Sequence, residues 1–209
     1  YARASRQRPH ALSLLMIATP DEENESAGVL QALRFLVRLR DQYHLHYLGV
    51  LNTDYVTERY PGDDQRYIYA GSIGKLLPAF LCLGLEAHAG DPFQGLDANL
   101  LSAELMRDIS MNDDLCDAVP GMLAAPPVTL RASDLKHHYD VQLPLAAYFY
   151  ANVLTLTTTP AALLVRLRTI AEQSMKHVLQ RVEAAERRWR ERAGMTGSQL
   201  MVHAHQGLV

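Results

Sequence analysis

The sequence of 209 residues has only two cysteines, Cys82 and Cys116, and they lie far apart in the chain. This scarcity excludes a disulfide framework, a CxxC redox pair and a thiolate zinc site. No apolar run approaches the roughly 18 residues that a membrane span needs. The basic N-terminal stretch also lacks the apolar segment of a signal peptide. We therefore expect a cytoplasmic protein that has no membrane partner.

An excess of one charge is also missing, because the net charge is only −3. The chain thus has no general attraction for nucleic acid. The segment "GSIGK" (71–75) lacks the spacing of a phosphate loop, and Leu76 stands where a hydroxyl is needed. The last predicted helix mixes Glu with Arg, which favours a solvated face with i,i+4 pairs, and we expect Trp189 there to be a packing anchor. These features argue against a nucleotide-binding or nucleic-acid-binding protein.

The N-terminal part of the chain has the pattern of a β–α–β unit. The apolar run at 11–18 is typical of a strand buried on both faces. An amphipathic helix is predicted over 26–43, and a second strand over 45–52. The crossover between two such strands is right-handed. We therefore expect an α/β fold over residues 1–66, as part of a mixed, mainly parallel catalytic sheet.

A turn-rich segment at 57–67 predicts a domain boundary. Beyond it the pattern predicts one long strand, or two strands with glycine breaks, over 67–88, further strands at 126–135 and 141–157, and helices at 95–110 and 159–194. Thr159 is a plausible N-cap, Pro160 suits the first helical turn, and Gly194 ends the last helix. We expect an α+β (ferredoxin-like) domain at 67–196 with helices on one face, and a tail or return segment at 197–209.

Acidic residues are concentrated where the first predicted strand ends. Glu22 and Glu23 are adjacent, Asp21 and Glu25 flank them, and Asp54 follows the second strand. Because the carboxyl ends of parallel strands share one edge, these carboxylates should converge and raise one another's pKa. A divalent cation such as zinc, manganese or cobalt removes that repulsion. One glutamate can then bind metal while its neighbour takes a proton from the attacking water.

An alternative explanation of the acidic cluster needs no metal. Negative side chains are favoured near a helix N-terminus, where they interact with the macrodipole, so the segment could be a solvated loop that precedes the helix. Pairs of histidines add other candidates: His44 and His46, and His203 and His205, have alternating spacing, although packing and a terminal tail are the simpler explanations. His137 and His138 are expected in a loop.

Several segments together resemble a known family. They are "PDEENESAG", "AHAGDPFQGLDAN", "NTDYVTERYPGDDQRYIYAGSIGKLLP", and "DLCDAV" followed by "PPVTL". They look like the zinc aminoacylase and carboxypeptidase G-like metallopeptidases, co-catalytic hydrolases with an inserted lid, or dimerisation, domain. Within that family they look most like the arginine-utilisation RocB branch. The resemblance runs from about residue 10 to residue 190.

The resemblance implies a role for each matching residue. Glu22 would be the general acid/base, and Glu23 and Asp54 would be metal ligands. His88 of the lid would reach the active site of a partner subunit and stabilise the developing oxyanion. The implied cofactors are two divalent ions, zinc or else cobalt or manganese. The implied partners are a second copy of the chain, bound through the lid, and a small amino-acid-derived substrate.

The chain also departs from the family pattern. A His-x-Asp motif and a bridging Asp should precede this segment, and residues 1–20 contain neither. A last metal-binding His should follow the lid, and the first residue is Tyr1 rather than a methionine. We therefore expect an internal fragment that is inactive alone, taken from a hydrolase of amide-type bonds in arginine catabolism. The alternative is a non-catalytic module for lid-mediated dimerisation or binding.

Overall fold

The computed structural model describes residues 12–54, 58 and 60–195. The fold is mixed α/β, with helices and antiparallel sheets. The chain divides into two compact units, Tyr1–Tyr67 and Ile68–Val209. None of the described helices combines the length and the apolar character that crossing a bilayer requires.

The described part of the first unit is built around helix α1, Ala27–Tyr43, which confirms the helix predicted at 26–43. It ends at His44, whose left-handed backbone (φ 51°) lets its N–H donate to the carbonyl of Arg40. None of the residues in this helix is buried. Apolar side chains such as Val29 and Leu33 remain 41% and 49% exposed. The amphipathic pattern thus formed a helix, but the described residues do not cover its apolar side.

The predictions of strands at 11–18 and 45–52 are wrong for the described residues. Residues 12–18 and 45–52 form no strand. Backbone N–H and C=O groups in a strand need a paired neighbour, and the described residues of this unit include no strand that could pair with them. The second run nevertheless returns along α1, since the Tyr47 hydroxyl donates to the carbonyl of Leu36 at 2.8 Å. A parallel β–α–β sheet is therefore not formed by these residues.

The second unit contains an antiparallel sheet centred on its longest strand. Its members are β1 (Gly74–Leu76), β2 (Ala79–Leu83), β5 (Val128–Asp134) and β6 (Ala146–Thr155), and β6 pairs with all three others. In β5 the register shifts between Thr129 and Arg131, which makes Leu130 a bulge. Strands β5 and β6 confirm the predictions at 126–135 and 141–157.

Strands β1 and β2 are one strand with an interruption. They pair with β6 in the same register, because Leu76 lies opposite Val153 and Ala79 lies opposite Tyr150. Pro78 continues this register, and its carbonyl accepts the N–H of Ala151 at 3.1 Å. Proline has no N–H to return, so the ladder is interrupted there. The predicted strand at 67–88 is therefore broken by a proline, and not by its glycines.

Two helices follow sheet strands, and both confirm their predictions. Helix α2, Ala98–Ile109, is capped by Asp97, whose side chain accepts the N–H of Asn99 at 2.7 Å. Helix α3, Pro160–Arg192, is capped by Thr159, and Gly194 follows it with a left-handed φ of 66°. Short elements complete the unit: the hairpin of β3 (Ala118–Val119) and β4 (Met122–Leu123), and 3₁₀ turns at Pro92–Gln94 and Asp113–Leu115.

The hydrophobic core lies between one face of the sheet and helices α2 and α3. Alternate residues of β6 are buried, and Phe149 stacks on Phe80 with ring centroids 4.6 Å apart. The other buried side chains of this core include Leu101, Leu105, Ile109, Val153, Leu163, Leu167 and Val178. On the opposite face Leu81 and Leu83 are 61% and 59% exposed. Helices α2 and α3 therefore pack on one face of the sheet, as predicted, while the ferredoxin-like topology stays a prediction.

Candidate functional site

The predicted acid/base and its neighbour lie in a tight turn just before α1. The carbonyl of Glu22 accepts both the N–H and the hydroxyl of Ser26, at 3.2 and 3.3 Å. Pro20 closes the turn by packing against Gly28, where an added Cβ would lie 2.3 Å from the Pro20 carbonyl oxygen. Glycine at position 28 therefore allows the chain to fold back over the start of the helix. The acidic segment is an ordered turn with its own internal hydrogen bonds.

The backbone of this turn adopts an unusual conformation. Asp21, Glu25 and Ser26 all have left-handed φ values, of 58°, 58° and 51°. Residues other than glycine rarely adopt this conformation, and such residues concentrate at functional sites. The side chains of Glu22 and Glu23 are exposed between these positions. Within the described residues, neither carboxylate has a hydrogen bond or an ion pair.

The alternative explanation of the acidic cluster, a solvated loop before the helix, stays open. The glutamates are exposed in the turn that precedes α1, as that explanation expects. Helix α1 begins at Ala27, and its first turn itself contains no acidic residue.

Asp54 lies at the end of the stretch that follows α1, and it is exposed. Because residues 45–54 carry no strand, the edge at which Asp54 was expected to meet Glu23 is not formed in the described part of the chain. Among the described residues, neither of them belongs to a group of three metal-binding side chains. Their roles as ligands remain predictions.

His88 occupies a well-defined loop of the second unit. Its backbone forms an isolated antiparallel bridge with Gln142, and its carbonyl accepts the N–H of Asp91 at 2.8 Å. The imidazole is exposed, and its Nδ1 accepts the backbone N–H of Gly90 at 3.0 Å. An imidazole that accepts at Nδ1 carries its proton on Nε2 when it is neutral. The neutral, exposed ring therefore offers an N–H donor at Nε2.

One cluster of metal-binding side chain types was not predicted. Ligand atoms of Glu104, Asp108 and His177 lie within 4.8 Å of one another, between α2 and α3. Arg107 is 2.6 Å from Glu104 and 3.0 Å from Asp108, and the Ser174 hydroxyl donates to Asp108 at 2.7 Å. The carboxylates thus already have a cation and a hydrogen-bond donor. We interpret the cluster as a polar contact that joins the two helices.

The i,i+4 spacing of Glu104 and Asp108 on a predicted helix was the signal that the sequence offered for this cluster. His177 comes from a different helix, which no sequence spacing connects to them.

The other described histidines and Lys75 lie at positions that the secondary structure explains. His44 caps the C-terminus of α1, and His137 and His138 lie in a loop, as predicted. Lys75 belongs to strand β1 and not to a loop that opens a helix, which confirms that "GSIGK" is no phosphate loop. The pair His203 and His205 lies outside the described residues.

The charged end of α3 agrees only in part with its prediction. Arg190 forms the predicted type of i,i+4 ion pair with Glu186, but Glu186 is buried and does not lie on a solvated face. The ring of Trp189 lies 5.6 Å from that of Phe93, although the residue stays 51% exposed.

The sequence was compared with family models and with curated proteins. No family model matches the sequence. The chain is related to RocB. The two sequences are 35% identical over 183 residues, which is 88% of this chain and 32% of RocB from Bacillus subtilis (strain 168). YqjN of the same organism is 39% identical over 170 residues, which is 81% of this chain and 31% of YqjN. The chain therefore spans about a third of the length of the curated relatives it matches.

The similarity to RocB extends into both units, because the 183 matched residues exceed the length of either unit alone. The relationship extends to RocB and YqjN alike, whereas the zinc metallopeptidase family stays at the level of a proposal.

Proposed function

We propose that the chain is part of a metal-dependent hydrolase that cleaves amide-type bonds in small amino-acid derivatives. The observation that carries this proposal is the turn of Glu22 and Glu23, whose carboxylates lie between three left-handed residues and bond to no other described residue. Kinship with RocB and the resemblance to zinc aminoacylases and carboxypeptidase G-like enzymes support it. Since the relatives are about three times as long, the activity is proposed for a protein of their length.

Glu22 is proposed as the general acid/base. It would take a proton from the attacking water and later return it to the leaving amine, a role that needs an accessible carboxylate with no fixed partner. The exposed side chain of Glu22 meets that requirement. Its backbone is anchored through Ser26, which fixes the point from which the side chain extends.

Glu23 and Asp54 are proposed as ligands of divalent ions, zinc or else cobalt or manganese. Carboxylate oxygen suits these cations, and Glu23 has no competing ion pair in the described part of the chain. When bound, two such ions would polarise the scissile carbonyl and lower the pKa of the attacking water. Two ligands do not complete such a site, so the remaining ligands are proposed to come from outside residues 12–54, 58 and 60–195.

His88 is proposed to stabilise the oxyanion in the active site of a partner subunit. A neutral imidazole with a proton on Nε2 is a suitable donor for that charge. A homodimer formed through the lid domain would deliver it. Arginine catabolism is proposed as the setting of this activity, which kinship with the RocB branch supports, and the cytoplasm is proposed as its location.

The proposal is tested on a protein of the relatives' length by metal analysis, with an activity screen over N-acylated and amidated amino acids. Glu22→Ala should lower kcat by about 10²- to 10⁴-fold, the usual contribution of a general acid/base, and should leave the metal content unchanged. Glu23→Ala should lose both metal and turnover, while Glu25→Ala, in the same turn, serves as the matched control.

Two results would count against these assignments. Loss of metal in Glu22→Ala would reassign Glu22 as a ligand. A protein that neither holds metal nor turns over any substrate in the screen would leave lid-mediated binding as the function.

A further inference from the structure

We propose that Gly90 is a positioning residue for His88, because its backbone N–H holds the imidazole in the tautomer that donates from Nε2. The bond from Gly90 to Nδ1 is 3.0 Å long and spans only two residues. His88 is exposed, so packing does not fix its ring. Within the described residues this is the one hydrogen bond made by the ring. The inference rests on the proposed role of His88 in stabilising an oxyanion.

The loop that carries His88 is held closed at its base. Leu85 and Leu96 exchange two backbone hydrogen bonds, of 2.8 and 2.9 Å. Glycines flank this base because the backbones approach closely: a Cβ at Gly84 would lie 2.1 Å from the Leu96 carbonyl oxygen, and one at Gly95 would lie 2.4 Å from that of Leu85. The loop therefore presents His88 from a rigid base.

A neighbouring segment fixes the other side of His88. The N–H of Ala89 donates to Val141 at 2.7 Å, and the N–H of Leu143 donates to Ala87 at 2.8 Å. Between these two bonds lies Gln142, the bridge partner of His88. The residues on either side of His88 are thus hydrogen bonded to the neighbouring segment, and the direction of the imidazole depends on the side-chain torsions of His88.

Gln142 is itself braced by an ion pair. Lys136 contacts the carboxylate of Asp140 and donates to the carbonyl of Gln142 at 2.6 Å. The N–H of Gln142 donates to Asp140 at 2.9 Å. The hydrogen bond from Lys136, followed by that from Gln142, lowers the pKa of Asp140, so the brace is ionised near neutral pH. The backbone N–H and carbonyl of Gln142 are therefore both hydrogen bonded.

The lack of a side chain at position 90 favours the same contact. A Cβ there would lie 3.0 Å from Nδ1 and 3.3 Å from Cε1 of His88, closer than such atoms normally approach. An alanine would keep the N–H but push the ring away from it. In the pattern His88-x-Gly90, a residue without a side chain thus leaves room for the hydrogen bond that selects the tautomer with its proton on Nε2.

A direct test uses ¹⁵N NMR of histidine side chains on the 209-residue chain. We expect Nδ1 of His88 to resonate as an unprotonated nitrogen and Nε2 as a protonated one. A scalar coupling across the hydrogen bond should join Gly90 N to Nδ1. Gly90→Ala should lose this coupling, and Gly49→Ala, at a glycine with open space around it, should keep it. A protonated Nδ1, or no coupling in the unsubstituted chain, overturns the proposal.

Kinetics on a protein of the relatives' length provide the functional test. Gly90→Ala should lower kcat with little change in KM, by up to the roughly 10²-fold that the loss of an oxyanion donor causes. Unchanged kcat in a variant that has lost the coupling would overturn the positioning role. Absence of turnover in the unsubstituted protein would instead contradict the proposed hydrolase, and the NMR result would stand independently of it.

Discussion

The carboxylate of Asp117 accepts the backbone N–H of Thr158 at 2.6 Å. The same oxygen accepts the N–H groups of Leu156 and Thr157, at 2.8 and 2.7 Å. These bonds fasten the chain before the β3–β4 hairpin to the loop between β6 and α3. Asp117 is buried, so each bond replaces water that the carboxylate has lost.

Replacement of Asp117 should make the fold less sensitive to acid. The N–H groups of Thr158, Thr157 and Leu156 stabilise the ionised form and lower the pKa of Asp117 well below its ordinary value. A lowered folded-state pKa gives stability that is complete above about pH 4 and is lost as pH falls through the folded-state pKa. Asp117→Asn should lower Tm at pH 7 and flatten the fall of Tm below pH 4.

Thermal unfolding followed by circular dichroism between pH 2 and 7 measures both effects. Asp113→Asn, at a nearby exposed carboxylate, is the control and should retain the acid sensitivity. An equally steep fall of Tm in Asp117→Asn would show that other groups cause it.

The stacked pair of Phe80 and Phe149 should dominate the core of the second unit. Phe149 is fully buried, and its removal leaves a cavity beneath α2 and α3. Phe149→Ala should lower the free energy of unfolding by about 3–5 kcal/mol, the range for large aromatic residues in cores. Leu83→Ala, on the exposed face of the same sheet, should change it by less than about 1 kcal/mol. Urea denaturation measures both, and equal losses would contradict the assignment of the core face.

The two cysteines should differ in reactivity. Burial raises the pKa of Cys82 to about 11, whereas Cys116 is only partly buried. At pH 8 about one Cys82 thiol in a thousand is ionised, and the thiolate is the form that reacts. Iodoacetamide followed by mass spectrometry should modify Cys116 in the native protein and Cys82 only after unfolding. Rapid native modification of Cys82 would mean that its strand opens readily.

Glycine 28 should be necessary for the acidic turn. A Cβ at this position meets the Pro20 carbonyl oxygen at 2.3 Å, so Gly28→Ala must displace the backbone on one side of Glu22 and Glu23. On a protein of the relatives' length we expect Gly28→Ala to lower kcat at least tenfold, the effect of small misplacements of catalytic groups. Gly49→Ala has open space around it and should behave as the unsubstituted protein. Full activity in Gly28→Ala would show that catalysis does not depend on the conformation of this turn.

The sequence predicted the elements whose signals are local. Helix α3 has its cap at Thr159, its proline in the first turn and its glycine after the end, and each of these acts within a few residues. The runs at 11–18 and 45–52 are different, because a strand depends on the neighbours that hydrogen bond to it. Apolar composition alone did not make them strands, since the described part of the first unit offers no partner.

The candidate site shows the same division. Adjacent acids and a loop histidine were visible as Glu22, Glu23 and His88, but the left-handed turn around the glutamates was not. The bond from Gly90 to His88 was also hidden, although both residues belong to the quoted motif. Positive φ at non-glycine residues and the direction of a ring nitrogen depend on the folded loop, and residue spacing does not encode them.

Pro78 interrupts the backbone hydrogen bonds on the side of its strand that faces β6. Its carbonyl bonds to Ala151, so the missing N–H also faces β6 and not the rim of the sheet. In an antiparallel pair, successive residues direct their backbone N–H and C=O groups alternately toward and away from the partner strand. The groups that point away from β6 therefore belong to the odd-numbered residues from Lys75 to Leu83. Pro78 removes none of these groups. The strand therefore loses a single internal hydrogen bond, and its rim keeps an unbroken row of polar groups that can template a further strand.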